Sequence, residues 1–201
     1  TYPNAAGVAP ANALIYSGAI TDEYSMGATL SDSDIQLIVS QAVAGGQLPA
    51  DPDAIYVVLP DPSVDATSGL CTSWCALHGT TSANGTTVKY AFIGNPARCP
   101  SKCAAQSPGP NGAGAGDAMA SLIAAELLDG VTDPLFTGWY DQNRLEPASK
   151  CAWTFGTTYT AANGAKANVR LGSNDYLLQQ LWVNRNDPPR PKGYCATSFA
   201  P

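Results

Sequence analysis

Glu126 is the residue best placed to act as a general base, on a stretch that matches a metallopeptidase helix except in its metal ligands. In H-E-x-x-H, two imidazoles one turn apart hold zinc, and the glutamate deprotonates a metal-bound water. Here Ala125 precedes Glu126, and Asp129 stands four residues after Ala125. A methyl group has no lone pair to give, so Glu126 is read as a degenerate remnant and no catalytic residue is assigned. Carboxylates without imidazole suit calcium or magnesium better than zinc, which makes Asp129 and Asp133 the candidate cation ligands. Asp133 before Pro134 reads equally as a turn residue. No cofactor is expected; a divalent cation, calcium or zinc, is the alternative.

His78 is the single histidine, and a catalytic zinc normally takes at least two. Close behind Cys75 and before Gly79-Thr80, it reads as a hydrogen-bonded imidazole in a disulfide-tied loop. No G-x-S-x-G elbow is present, and the cysteines read better as pairs than as nucleophiles. Trp139, Tyr140 and Asp141 set aromatic rings beside a carboxylate, a surface suited to stacking on sugars and equally to packing.

A helix must position Glu126. Met119, Leu122, Ile123 and Leu127 recur at helical spacing, with Asp117 as a starting cap and Gly130 just past the end. Upstream, residues 13–20 (ALIYSGAI) read as a strand. Ser31 then caps a helix with Ile35, Ile38, Val39, Ala42 and Val43 on its apolar face and Gly45-Gly46 at its end. Residues 54–59 (AIYVVL) read as a strand covered on both faces, and residues 88–93 (VKYAFI) as another. Asn163-Gly164 is a hairpin signal between residues 153–159 and 167–171. Residues 175–183 (DYLLQQLWV) read as a short helix, and residues 188–191 as a proline-rich tether. The order gives an α/β class, with α+β as the alternative, and suits a zincin-like mixed sheet with packed helices.

At 201 residues, with 45% apolar and 13% charged side chains, one domain over residues 1–201 is expected. A net charge of −6 without a basic stripe argues against nucleic acid, and no apolar run is long enough to span a membrane. The even set Cys71, Cys75, Cys99, Cys103, Cys151 and Cys195 points to disulfides in an oxidising compartment. The repeated x3 spacing leaves a four-cysteine zinc site as the alternative, although such sites prefer x2 or x4 pairs. Cys151 and Cys195 are each isolated and are expected to pair, leaving the x3 pairs to cross-link or close locally. Asn84-Gly85-Thr86 is a glycosylation sequon, in keeping with a secreted glycoprotein. No signal segment is visible, so the chain is expected to be processed or a fragment.

Several ordered blocks carry a family resemblance. They include Asp22-Glu23-Tyr24-Ser25-x-Gly27, residues 53–59 (DAIYVVL), residues 71–79 (CTSWCALHG), residues 89–100 (KYAFIGNPARCP) and Pro110-Asn111-Gly112. Thr132-Asp133-Pro134, Trp139-Tyr140-Asp141, residues 150–159 (KCAWTFGTTY) and Asp175-Tyr176-Leu177 continue the series. Together they resemble the exordium-like, or phosphate-induced, family of secreted proteins. Many microbial relatives carry His-Glu where this chain has Ala125-Glu126, which hints at descent from zinc metallopeptidases. Plant relatives often lack the histidine and are regarded as growth-associated apoplastic proteins. The resemblance implies an extracellular or cell-wall pseudoenzyme, lacking the family's amino-terminal portion and acting in binding, adhesion or assembly. Its implied partners are matrix polysaccharide, matrix protein or further copies of itself. The alternative is a divergent metal-dependent hydrolase using Glu126 with non-standard ligands.

Overall fold

Ser31 turns an extended chain into a helix. Its hydroxyl accepts from the Asp34 amide at 3.3 Å, and the Asp34 carboxylate accepts from the Ser31 amide at 2.8 Å. This capping box satisfies two groups at the helix start, so α1 (Asp32–Ala44) follows β1 (Thr29–Leu30) directly. The computed structural model describes Tyr2, residues 13–184 and residues 193–197. Ile35, Val39, Ala42 and Val43 form the buried face of α1, and the chain leaves through Gly45 as expected.

β2 (Ile55–Val58) and β3 (Asp65–Ala66) follow, with β3 parallel to β1. β4 (Ala76–Ala83) and β5 (Thr86–Ile93) form an antiparallel hairpin closed by Asn84 and Gly85, with φ of 50° and 78°. A two-residue hairpin turn needs positive φ at both central positions, and Asn-Gly is the pair that tolerates it best. β2 pairs in parallel with β5, giving the order β2-β5-β4.

β5 sorts its side chains by the period of two that a strand imposes. Val88, Tyr90 and Phe92 join Ile35, Val39 and Val43 in one core. Ala91 and Ile93 point the other way, onto Met119 and Leu122. The second set belongs to α3 (Ala115–Thr132), which follows the short α2 (Pro100–Cys103). The mixed α/β sheet therefore has α1 on one face and α3 on the other. Beyond α3 come a 3-10 turn (Ser149–Cys151) and three small antiparallel pairs. These are β6 (Tyr159–Thr160) with β7 (Lys166–Ala167), β8 (Val169–Leu171) with β9 (Asn174–Tyr176), and β10 (Leu181–Val183) with β11 (Tyr194–Ala196).

Several expectations need correction. Residues 13–20 form no strand; the segment is exposed, with Ile15 at 90%, because strand propensity without a paired edge yields only extended chain. Residues 54–59 hold an edge strand rather than a doubly covered one, with Val57 and Leu59 exposed. α3 starts before Asp117, whose carboxylate instead accepts from the Asn111 and Ala113 amides at 3.0 and 3.1 Å. Gly130 lies inside α3, where a Cβ would sit 3.1 Å from Ile55 Cδ1. Residues 175–183 are strand and connection, not helix. The Gln179 amide donates to Ser121 Oγ at 2.9 Å and the Gln180 amide to the Thr154 carbonyl at 2.7 Å, so their bonds leave the segment. The hairpin at Asn163-Gly164 forms, but with two-residue strands, and residues 169–171 pair with β9 instead. The proline-rich tether at 188–191 lies outside the described residues.

All six cysteines are oxidised, as Cys71–Cys99, Cys75–Cys103 and Cys151–Cys195. The x3 pairs thus cross-link each other, which removes the four-thiolate zinc alternative. No helix among the described residues is long and apolar enough to cross a membrane.

Candidate functional site

Leu122, Ala125, Glu126 and Asp129 fall at i, i+3, i+4 and i+7, one stripe of α3. That stripe floors a cleft of about 350 Å³. One wall is the loop of residues 71–76, which two disulfides tie to Cys99 and Cys103 around α2. Another wall is Ser149, Ala152 and Trp153, where the Cys151–Cys195 bond fixes the turn. Trp74 and Trp153 thus line one space from two separately anchored loops, with the Trp74 ring packed edge-on against Phe92 at 6.0 Å between centroids.

Trp153 has φ of 60° and is 46% exposed. A bulky residue in the left-handed region is an outlier that persists only where its surroundings fix it. Here Thr154 fixes it, donating from its amide and its hydroxyl to the Cys151 carbonyl at 3.1 and 2.7 Å. The next bond, from the Gln180 amide to the Thr154 carbonyl, holds the far side.

Behind the floor lies an ion triad. His78 is on β4 rather than in a loop, and its side chain is 6% exposed. Nδ1 lies 3.1 Å from Glu126 Oε2, and Nε2 lies 3.3 Å from Glu146 Oε1. The second pair is within ion-pair reach but not aligned as a hydrogen bond. Phe136 stacks on the imidazole with centroids 5.0 Å apart and planes 13° apart. Burial works against a charged ring, but the Glu126 hydrogen bond and the close charges of Glu126 and Glu146 outweigh it and raise the imidazole to about 10. Glu126 is accordingly not a lone carboxylate on backbone partners; it is the cleft-side member of a carboxylate–imidazolium–carboxylate unit.

Asp129 is 3% exposed and is pushed up to about 7. Burial is the main cause, and the charges of Glu146 and Glu126 add to it, against a lowering bond from the Ala148 amide at 2.7 Å. Its other oxygen accepts from Ser149 Oγ at 3.3 Å. Asp133 closes the end of α3 and accepts from the Gly138 amide at 2.5 Å. Both carboxylates, expected to share a cation, thus have protein donors on different segments. Among the described residues, only Cys71, Cys99 and Cys103 form a group of three ligand types close enough for one ion, and their sulfurs are in disulfides. The residues present do not fit a peptidase zinc either: Ala125 gives no donor, and the two glutamates flank opposite nitrogens of His78.

The Trp139–Tyr140–Asp141 block lies apart from the residues lining the cleft. Trp139 packs edge-on to Tyr2, with centroids 5.3 Å apart, and Tyr140 is exposed. Asp141 accepts from the Asn143 and Leu145 amides at 2.8 and 3.1 Å and from Lys150 Nζ at 2.6 Å. Asn84 is exposed at the hairpin tip, open to a glycan. Sequence reasoning missed Trp74, Trp153 and Glu146. The tryptophans had a signal, Trp74 standing next to the bridged Cys75 and Trp153 two residues after the bridged Cys151; Glu146 had none.

Residues 1–185 match the family described as the phosphate-induced protein 1 conserved region. Protein EXORDIUM-like 3 of Arabidopsis thaliana is 33% identical over 190 residues, covering 79% of this chain and 56% of that protein. Protein EXORDIUM-like 5 of the same plant is 30% identical over 158 residues, 69% of this chain and 43% of its own length. Protein EXORDIUM-like 4, also from that plant, is 29% identical over 187 residues, 81% and 62% respectively. The chain thus spans about half the length of the curated relatives it matches. No solved structure matches, so the zincin-like expectation has no solved counterpart. The residues matched run through both cleft walls and the triad, and the chain belongs to the phosphate-induced, exordium-like family.

Proposed function

We propose that the chain is a secreted matrix protein that binds polysaccharide in the cleft above α3. Three disulfides and the exordium-like relatives are consistent with secretion. The observation that carries the reading is Trp153, a large ring left half-exposed on a backbone that disfavours it, lining a groove with Ser149 and Gln179. Aromatic faces take the apolar faces of sugar rings, and flanking hydroxyl and amide groups take their hydroxyls. Binding is favoured over peptide hydrolysis because Glu126 is engaged by His78 and Ala125 leaves no ligand beside it.

Retention on insoluble wall polysaccharide tests the reading. Trp153→Ala should weaken retention about tenfold, with Trp139→Ala near wild type. Equal retention of wild type and Trp153→Ala, with both folded, would remove the cleft from the account. The rival hydrolase has one observation in its favour, two carboxylates lining one cleft. Turnover abolished by a chelator and by Glu126→Gln would replace the binding reading.

A further inference from the structure

The cleft is electrically lopsided. Glu126 and Asp129 line its floor, and Glu146 stands on the far side of His78. Glu126 and Glu146 share one imidazolium, which leaves that unit net negative, and Asp129 adds its own charge as pH rises through about 7. Among the described residues that line it, Lys102 is the only lysine or arginine, and it is exposed at the rim, where water screens it. Burial is the main cause of the upward displacement of Asp129, and the charges of Glu146 and Glu126 add to it.

Resting on the glycan reading above, we infer that this cleft chooses its sugar by charge, favouring amine-bearing units, accepting neutral ones and rejecting uronates. An ammonium group entering over the floor meets the Glu126 carboxylate, with the face of Trp153 as a second attractive surface. A neutral sugar offers hydroxyl donors to the same carboxylate. A uronate brings a like charge into a partly desolvated groove, losing hydration without gaining a partner.

The test is titration calorimetry with three hexamers, of glucosamine, glucose and galacturonate, at a pH where ammonium and uronate are both ionised. Affinity should fall in that order, with on the order of tenfold between glucosamine and galacturonate oligomers. The glucosamine advantage over glucose should shrink at molar salt, a readout that needs no variant. Galacturonate binding as tightly as glucosamine, or an advantage insensitive to salt, overturns the charge inference and leaves the glycan site standing. Failure of all three to bind overturns the site itself, and the inference with it. Glu126→Gln adds a second check: it should level the glucosamine and glucose affinities while the protein stays folded by circular dichroism.

Discussion

The two faces of the central sheet are built on opposite principles. The α1 face is an apolar seam in which Ile35, Val39 and Val43 meet Val88, Tyr90 and Phe92. The α3 face has a small apolar patch of Ala91, Ile93, Met119 and Leu122, and then turns polar, with Asp117, Ser121, Asp129, Thr132 and Asp133 all buried. Apolar burial is non-directional and independent of pH, whereas buried charge must be paired by specific partners. One face therefore supplies stability while the other holds fixed electrostatics beside a cleft. Substitutions and pH should separate them.

The largest effect belongs to the α3 face. His78→Gln leaves the part-buried Glu126 and Glu146 without a cation, a change whose upper bound is about 3–5 kcal/mol, the cost in fully buried pairs. The imidazole is raised above its unfolded value, so its contribution is full below about pH 6.5 and is lost as pH rises through about 10. Urea unfolding should show the variant deficit at pH 6 shrinking by pH 10, a range set by that same displacement. A deficit constant across that range would mean that His78 acts by packing on Phe136 alone.

On the α1 face, Ile35→Ala removes a fully buried side chain and should cost about 2–4 kcal/mol. This loss should be flat between acid and alkaline pH, because no titrating group is removed. The pair of variants thus breaks the comparison if both respond to pH alike.

The two faces also differed in how well the sequence revealed them. The α1 seam was legible because helical and strand periods are local, and Ser31 marks the start. The α3 helix was legible as a helix, but its ends were not, since Asp117 and Gly130 serve tertiary contacts with Asn111 and Ile55 rather than caps. Asn84-Gly85 reads as a glycosylation sequon in sequence and is also the hairpin turn of the main sheet. The triad joins residues 78, 126 and 146, which no spacing rule connects. Residues 175–183 carried an apolar pattern that fits a helix, yet their amides are claimed by Ser121 and Thr154, a choice made only in three dimensions.

The smallest effect has the opposite sign. Asp129 is displaced upward to about 7, so the native state holds its proton where the unfolded chain has already lost it. Between about pH 4 and 7 the unfolded state then binds fewer protons, and stability falls as pH rises. Asp129→Asn removes that titration but keeps a carbonyl oxygen to accept from the Ala148 amide. It should leave stability unchanged near pH 4 and raise it near pH 8 by on the order of 1 kcal/mol, net of the weakened Ser149 bond. Thermal melts at those two pH values decide it. A variant less stable at both would show that the charged form of Asp129 is what the turn at Ala148 and Ser149 requires, and that the α3 face is better balanced than its count of carboxylates implies.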